Sequence, residues 1–451
     1  MKIKQHKLAT FISKKLESDA DFDTSSLLDE LSPSETARLI EALPAKFRWS
    51  LWSSLPQTHL GEVLLEIHRD IRRWLIQRTP DQKLLACLTS LQIDELADID
   101  EDLPESVVSA MVGSMDNQRL QRYNLVKDFP DDSAGGLMDI DATAIRADVS
   151  LKAVHRYLCQ LRRKVGFLPE HLDSLVVVDR NNRVQGSLLL SDLVSLNNKL
   201  LVSQVMSSTA PLIGSFTPAT QVAQLFEDLD LISATVVDTN NQLLGRITVD
   251  DIIDVLRDEA DKDIYSKAGL NKDSDMFAPV IKSALKRAIW LGTNLITAFV
   301  AAGVIGLFEA SIEQLVALAV LMPIVASMGG ITGSQTLTLV TRGIALQQLG
   351  YDNIGQLTRH ELKVSALNGL LWSSAVFLLT NFWYQDWQLA LVFAVALFVV
   401  SLVGTFSGAI IPLLLKNMGV DPAIAGGVVL TTITDSVGFF IFLGAASQFL
   451  I

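Results

Sequence analysis

Asp435 is a carboxylate in the middle of a long apolar stretch, Asp421–Phe442, and no Lys or Arg shares that stretch. A charge at mid-bilayer costs about 2.5–3.5 kcal/mol on insertion scales, so such a residue usually faces water or a partner. Thr431, Thr432 and Thr434 set hydroxyls beside it. A carboxylate among hydroxyls and backbone carbonyls suits a hard cation such as Mg2+, which keeps several of its waters. The chemistry would then be binding and passage of a hydrated ion, with Asp435, Thr431 and Thr432 as pore ligands. The structural alternative is a protonated Asp bonded to a neighbouring helix. Gly329, Gly330 and Gly333 lie in the Pro-started run Pro323–Gln335. They would weaken the helix and line a pore with backbone, let helices pack closely, or do both. A second acidic pattern precedes the apolar region. Asp251, Asp254 and Asp258 fall at i, i+3 and i+7, one helical face, and Glu259 and Asp263 form an i, i+4 like-charge pair. This is either a cation-sensing face or a solvated acidic helix.

The elements that must hold these residues divide the chain sharply. It has 451 residues, 49% hydrophobic, with a net charge of −13. Residues 281–451 carry seven basic and seven acidic groups, so the whole acidic excess lies in the first 280. An acidic soluble half argues against nucleic acid, which needs basic surface. Cys87 and Cys159 make no metal spacing and read as reduced cytosolic thiols. The six histidines form no ligand cluster. Without a phosphate loop or a nucleophile–base pair, the sequence does not read as an enzyme. The basic start Met1-Lys2-Ile3-Lys4 leads into an apolar stretch too short for a signal peptide, which leaves the N-terminus in the cytosol.

Residues 1–130 read as a helical N-terminal domain. Ser32-Pro33-Ser34-Glu35 is a capping box with Pro at the first helical position. Apolar spacing predicts one helix over about Thr58–Gln77 and shorter ones near Asp81–Leu88, Glu105–Met115 and Gln118–Lys127, with Pro44, Pro56, Pro80 and Pro104 in the loops. Trp49, Trp52 and Trp74 read as core or packing residues.

An internal repeat follows. Ser174–Asp192 and Ser233–Asp251 match at an offset of 59, each a strand, an Asp-x-Asn-Asn turn, a second strand opened by Gly186 or Gly245, and a helix begun at Asp. Leu137-Met138 and Val205-Met206 match at an offset of 68, which places an insertion in the first copy around Arg162–His171. The paired repeat resembles a tandem of CBS (cystathionine β-synthase-type) domains, first copy 131–200 and second copy 201–260. Such pairs are regulatory modules, often for adenine nucleotides. Gly245, Thr248 and Asp251 match the nucleotide-contact pattern for ATP, and equally suit a turn glycine and a helix cap. In the first copy Leu189 replaces the hydroxyl.

The acidic run from Asp250 leads into a connecting helix expected over 261–285 and a transmembrane domain over 286–451. Five uncharged or nearly uncharged stretches follow: Ala288–Phe308, Gln314–Thr341, Val364–Gln385, Trp387–Leu415, and Ala423–Ile451 with only Asp435. Each is long enough to cross a bilayer. Basic residues flank alternate ends, which places the N-terminus in the cytosol and the C-terminus outside.

A helical domain, a CBS pair, an acidic connecting helix and five spans, with Gly-Gly-x-x-Gly-x-Gln at Gly329–Gln335 and Thr-x-x-Asp ending at Asp435, resemble the MgtE family of magnesium channels. The resemblance covers essentially the whole chain and is loosest in the helical domain, where the match lies chiefly at Asp94-Glu95-Leu96-Ala97-Asp98. It implies a multidomain inner-membrane homodimer with a central pore, importing divalent cations across the lipid bilayer without nucleic acid or ATP hydrolysis. It implies that Asp435 is the main pore carboxylate. It implies regulatory Mg2+ at Asp251, Asp254, Glu259 and Asp263, and at Asp94, Glu95 and Asp98, closing the pore when cytosolic Mg2+ is high. Two positions depart from the family's pattern: Ile331, where Asn is usual, and Gly426-Gly427-Val428, where Ser-x-Pro is usual. They open the range to Co2+ or Mn2+. The rivals are a cation efflux exchanger with Asp435 alternating between proton and metal, and a membrane-anchored CBS sensor without transport.

Overall fold

The computed structural model describes residues 5–18, 28, 31–89, 91–166, 168, 172–270, 275–345, 348–350 and 352–451. Met1–Lys4 and residues 167 and 169–171 of the expected insertion lie outside them. The chain divides into two units, Met1–Asp261 with Asp273–Ala278, and Lys262–Lys272 with Pro279–Ile451.

The first unit opens with helices α1 (Gln5–Ser18), α2 (Pro33–Glu41), α3 (Ala45–Ser54), α4 (Gln57–Glu66), α5 (Arg69–Ile76), α6 (Asp81–Leu88), α7 (Ile93–Asp100), α8 (Glu105–Ser114) and α9 (Asn117–Lys127). The capping box is formed: the Glu35 amide donates to Ser32 Oγ at 3.2 Å and the Ser32 amide to Glu35 Oε2 at 3.2 Å. Pro44, Pro56, Pro80 and Pro104 stand at N-caps, where proline ends one helix and suits the entry to the next. The single helix expected over Thr58–Gln77 is two. The backbone is extended at Ile67 and His68, and Glu41 accepts the His68 amide at 2.8 Å, so the break is satisfied by a side chain from another helix. Leu43, Leu51, Trp52, Leu60, Leu64 and Leu75 are among the residues of one continuous core. The buried Trp52 ring donates to Thr79 Oγ1 at 2.9 Å. Trp74 packs against the core, and Trp49 is exposed instead.

The CBS pair comprises α10 (Ala134–Leu137), β1 (Ala144–Arg146), α11 (Leu151–Val165), β2 (Ser174–Val178), β3 (Val184–Leu189), α12 (Leu190–Ser195), α13 (Val202–Val205), β4 (Leu212–Gly214), α14 (Ala219–Leu229), β5 (Ser233–Val237), β6 (Leu243–Thr248) and the start of α15 (Val249–Lys267). Each sheet is β1-β2-β3 or β4-β5-β6, the first pair parallel and the second antiparallel. The Asp-x-Asn-Asn turns explain themselves. Asp179 Oδ1 accepts the amides of Asn181 and Arg183, and Asp238 Oδ1 those of Asn240 and Gln242. Asn182 and Asn241 then take positive φ, which Asn tolerates. The two turns also join each other, through Val184 N to Asn241 O at 2.9 Å and Leu243 N to Asn182 O at 3.0 Å.

The two cores do not follow the boundaries 131–200 and 201–260. Ala134 and Met138 pack with Ile213, Val236 and Ile247 in the core of the second copy. Val202 and Met206 pack in the core of the first, with Leu175 and Leu188. Each entry segment pairs with the other copy's last strand, Asp139 with Arg246 and Ser207 with Ser187. Gly186 and Gly245 sit inside their strands and do not open them; a Cβ at Gly245 would lie 2.6 Å from the Asp139 carbonyl. The two offsets, 68 before and 59 after, come from the longer first copy, whose α11 has 15 residues against 11 in α14.

The second unit holds the end of α15, then α16 (Val280–Gly306), α17 (Glu309–Gln314), α18 (Ala317–Ala345), α19 (Ile354–Tyr384), α20 (Trp387–Asn417) and α21 (Pro422–Phe449). Five of these are long and apolar enough to cross a membrane. The helix expected over 261–285 is not one element. α15 ends at Lys267, Gly269 takes φ +67° and packs under Trp290, and α16 begins at Val280. The helix α19 begins ten residues before the uncharged stretch read from Val364.

Candidate functional site

The α18 helix is continuous from Ala317 to Ala345 with Pro323 inside it, so the expected break at the glycines is absent. Gly329 and Gly333 turn towards α20. A Cβ at Gly404 would lie 2.5 Å from the Gly329 carbonyl, and one at Gly333 would lie 3.0 Å from the Gly404 carbonyl. Gly408 meets the Gly333 carbonyl in the same way. These i, i+4 pairs let two backbones touch, the small-residue packing of membrane helices. Of the three glycines, Gly330 lines a cavity on the other side of the helix.

That cavity is a groove of about 1040 Å³. From α18 it is lined by Ala326, Ser327, Gly330, Ile331, Ser334, Gln335, Thr338 and Leu339, from α19 by Glu361 and Val364, and from α21 by Thr431 and Asp435. Ser327, Ser334 and Thr338 recur at i, i+7 and i+11, so one helical stripe of α18 carries hydroxyls. Thr431 stands one turn before Asp435, and its hydroxyl donates to the Gly427 carbonyl at 2.6 Å. Thr432 donates to the Val428 carbonyl at 2.7 Å and does not line this groove. Thr434 is fully buried. Among the described residues neither the Asp435 nor the Glu361 carboxylate has an ion-pair partner, and both line the groove. Ile331 is an exposed wall residue. Gly427 and Val428 line an adjoining cavity of about 370 Å³ that shares Ser334, Thr338 and Thr431 with the groove.

Glu361 was not legible as a site residue. It precedes the uncharged stretch and reads as loop, whereas it lies in the third turn of α19. The signal was Glu361 standing between Arg359 and Lys363 directly before the apolar stretch.

In the first unit the acidic residues gather where α7 approaches the CBS pair. Burial pushes the Asp98 carboxyl up to about 6, with Asp131, Asp251 and Glu95 adding repulsion and Arg72 opposing it. Burial likewise raises Asp251 to about 6, with Asp250 and Asp139 adding to it against the Thr248 hydrogen bonds. Glu95 and Asp139 are raised mainly by burial, and Asp254 by burial and by Glu66. The expected residues Glu95, Asp98, Asp251 and Asp254 thus feel a common negative field, joined by Glu66, Asp131 and Asp139. The Asp94 side chain lies outside the described residues. Glu259 is exposed, one turn before Asp263 on α15. Among the described residues no three His, Cys, Asp or Glu side chains converge tightly enough to hold a metal directly.

The nucleotide pattern is locally engaged. The Thr248 amide and hydroxyl both donate to Asp251 Oδ2 at 3.2 Å, and the hydroxyl also reaches Asp250. Gly245 is required by the Asp139 carbonyl.

Three family models match: a divalent cation transporter domain (MgtE) at residues 322–445, the MgtE intracellular N domain at 31–132 and a CBS domain at 202–258. The Bacillus subtilis magnesium transporter MgtE is 29% identical over 428 residues, covering 95% of this chain and 94% of the relative. The Thermus thermophilus magnesium transporter MgtE is 28% identical over 449 residues, covering 98% of each chain. The crystal structure of the cytosolic domain of the Mg2+ channel MgtE in complex with ATP aligns with a TM-score of 0.48 at 25% identity, covering 55% of this chain and 99% of that one.

Proposed function

The chain belongs to the MgtE family of divalent cation transporters, and from that premise we propose that it carries Mg2+ through the groove that holds Asp435. It is a multi-pass membrane protein with five spans, a helical N-terminal domain and a CBS pair. The observation that carries the reading is a carboxylate within a span, without an ion-pair partner among the described residues, facing hydroxyl-lined space. Hydroxyls and carboxylates at this spacing hold a cation through its water shell, as Mg2+ prefers. Flux follows the gradient and the membrane potential. A divalent ion gains about 4.6 kcal/mol per 100 mV, twice the roughly 2.3 for one charge.

The proposal places the chain in the inner membrane with the N-terminus in the cytosol. Lys282, Lys286 and Arg287 at the start of the first span support this, as does the absence of basic residues from Glu309–Gln314 and at Asp386. It takes the pore as the meeting of two grooves in a homodimer. It assigns closure to Mg2+ on the acidic face, held through water because the carboxylates are mutually repelling yet spread out. Gating is given to cations and not to ATP, since Thr248 and Asp251 would have to release each other to hold a nucleotide.

The test is Mg2+ uptake by the full chain in liposomes, with and without a pH gradient. Uptake driven by potential alone supports a channel-like path. Dependence on an opposing proton gradient would favour the exchanger, and no flux the anchored sensor.

A further inference from the structure

Arg48 in α3 is 1% exposed, one of the largest fully buried side chains in the chain. One edge of its guanidinium serves the end of α2. Nε donates to the Ile40 carbonyl at 3.1 Å and the Leu43 carbonyl at 2.8 Å, and Nη2 to the Glu41 carbonyl at 3.2 Å. These are carbonyls that a helix end leaves without helical partners. The other edge is given to Asp275, 227 residues away, with Nη1 to Oδ2 and Nη2 to Oδ1 both at 2.6 Å. A planar fork on a carboxylate is strong and geometrically exacting. Asp275 in turn shapes its own segment. Its Oδ1 accepts the Phe277 amide at 2.8 Å, and the Phe277 ring lies 5.9 Å from the guanidinium. Residues 273–278 accordingly group with the first unit, although the chain on both sides of them belongs to the second.

A buried ion pair is a poor device for stability alone, because desolvating both charges offsets most of their attraction. What it fixes is which segment sits there. The segment it holds leads straight into the membrane: Val280, the first residue of α16, is five residues beyond Asp275. Five residues span roughly 17 Å at full extension. The N-terminal domain therefore cannot move farther than this from the start of the first span without pulling on it or breaking the pair. The same domain supplies Glu95 and Asp98 to the acidic face.

We infer that Arg48 is a positioning residue for gating, clasping Asp275 so that the N-terminal domain's response to cations passes to the first span through residues 275–279. This is a second route beside α15, and it rests on the transport reading above.

The test uses the full chain in liposomes and nanodiscs. Asp275→Asn keeps the shape and removes the charge, and it leaves the three carbonyl contacts of Arg48 in place. It should speed amide exchange across residues 276–285 and raise the Mg2+ concentration that half-closes the pore by about 5-fold or more, the low end of ordinary coupling between sites. Asp275→Glu should restore part of that shift. Arg48→Lys, which keeps the charge and loses the fork, should shift the midpoint in the same direction. Faster exchange with a midpoint within two-fold of the parent would make the pair a fastening only and overturn the inference. Unchanged exchange would overturn it as well. Absence of Mg2+ uptake by the parent chain would instead overturn the transport reading, and this inference with it, and that result is read without either clasp residue.

Discussion

Asp435 lies thirteen residues into α21, about 20 Å along a helix rising 1.5 Å per residue, and Glu361 seven residues into α19, about 10 Å. The two carboxylates share one groove at different depths. An entering dication would lose part of its outer hydration, and a fixed negative charge offsets that loss more strongly in a low-dielectric wall than in water. Asp435→Asn preserves shape and should lower Mg2+ uptake at least tenfold, which costs about 1.4 kcal/mol of ion stabilisation. Wild-type flux from that variant would remove Asp435 from the path. Glu361→Gln should lower uptake by about three- to tenfold and leave expression unchanged. Under the proposed path Ile331 and Gly427 would bear on ion choice, since the first walls the groove and the second its neighbouring cavity. Ile331→Asn with Gly427→Asn should raise the Mg2+:Co2+ uptake ratio measured in one preparation. An unchanged ratio would place both outside the ion's hydration shell.

At the scale of elements, the glycines show what a sequence can and cannot say. Their spacing in Pro323–Gln335 allowed a broken span or tight packing, and only the partner helix decides. Gly404 and Gly408 on α20 meet Gly329 and Gly333, so the spacing serves contact between backbones. Pairing of that kind is invisible in one helix's sequence because its meaning sits on another helix. The span boundaries failed for a related reason: Lys282, Lys286, Arg287 and Glu361 are charges inside helices, and charge marks the edge of the bilayer before it marks the edge of a helix. By contrast the Asp-x-Asn-Asn turns and the Ser32 cap were legible because their hydrogen bonds are local. The exchange of entry segments between CBS copies was not, because which copy a segment packs into is set by tertiary contact.

The acidic face adds a prediction with a definite sign. Asp98 and Asp251 both titrate near 6 when folded, above the ordinary 3.8. The folded arrangement therefore binds more protons than the unfolded chain between about pH 4 and 6. Its stability falls as pH rises through that window and stays at its lower level above it. Burial raises both carboxyls first and repulsion adds to it, and protons and Mg2+ would both relieve the cost of these buried charges. Lowering the pH from 7.5 to 5.5 without Mg2+ should reproduce part of the protease protection that the proposed gating expects from millimolar Mg2+ at α7 and α15. Equal cleavage at the two pH values would mean that the face is not under electrostatic strain.

Over the whole molecule, the acidic residues divide between two regions that the chain must bring together. Glu95 and Asp98 come from the N-terminal domain, and Asp251 and Asp254 from the helix that leaves the second CBS copy and continues to Lys267. Without cations their shared negative field opposes approach; with Mg2+ it does not. Moving a two-state equilibrium from 1:99 to 99:1 needs about 5.5 kcal/mol of differential binding. No three carboxylates among the described residues form a single tight site, so several weak sites acting together must supply it. Under the proposed gating, closure would be a steep function of cytosolic Mg2+, sensitive to the number of charges more than to any one of them. Replacing Asp251, Asp254 and Glu259 with Asn, Asn and Gln should leave the pore open at millimolar cytosolic Mg2+. Each single replacement should only move the midpoint by a few-fold. Flux through the triple variant, measured in liposomes against internal Mg2+, should be flat over the range in which the parent closes. Closure of the triple variant at the parent's concentration would reduce this face to a solvated acidic helix and put the gate elsewhere in the chain.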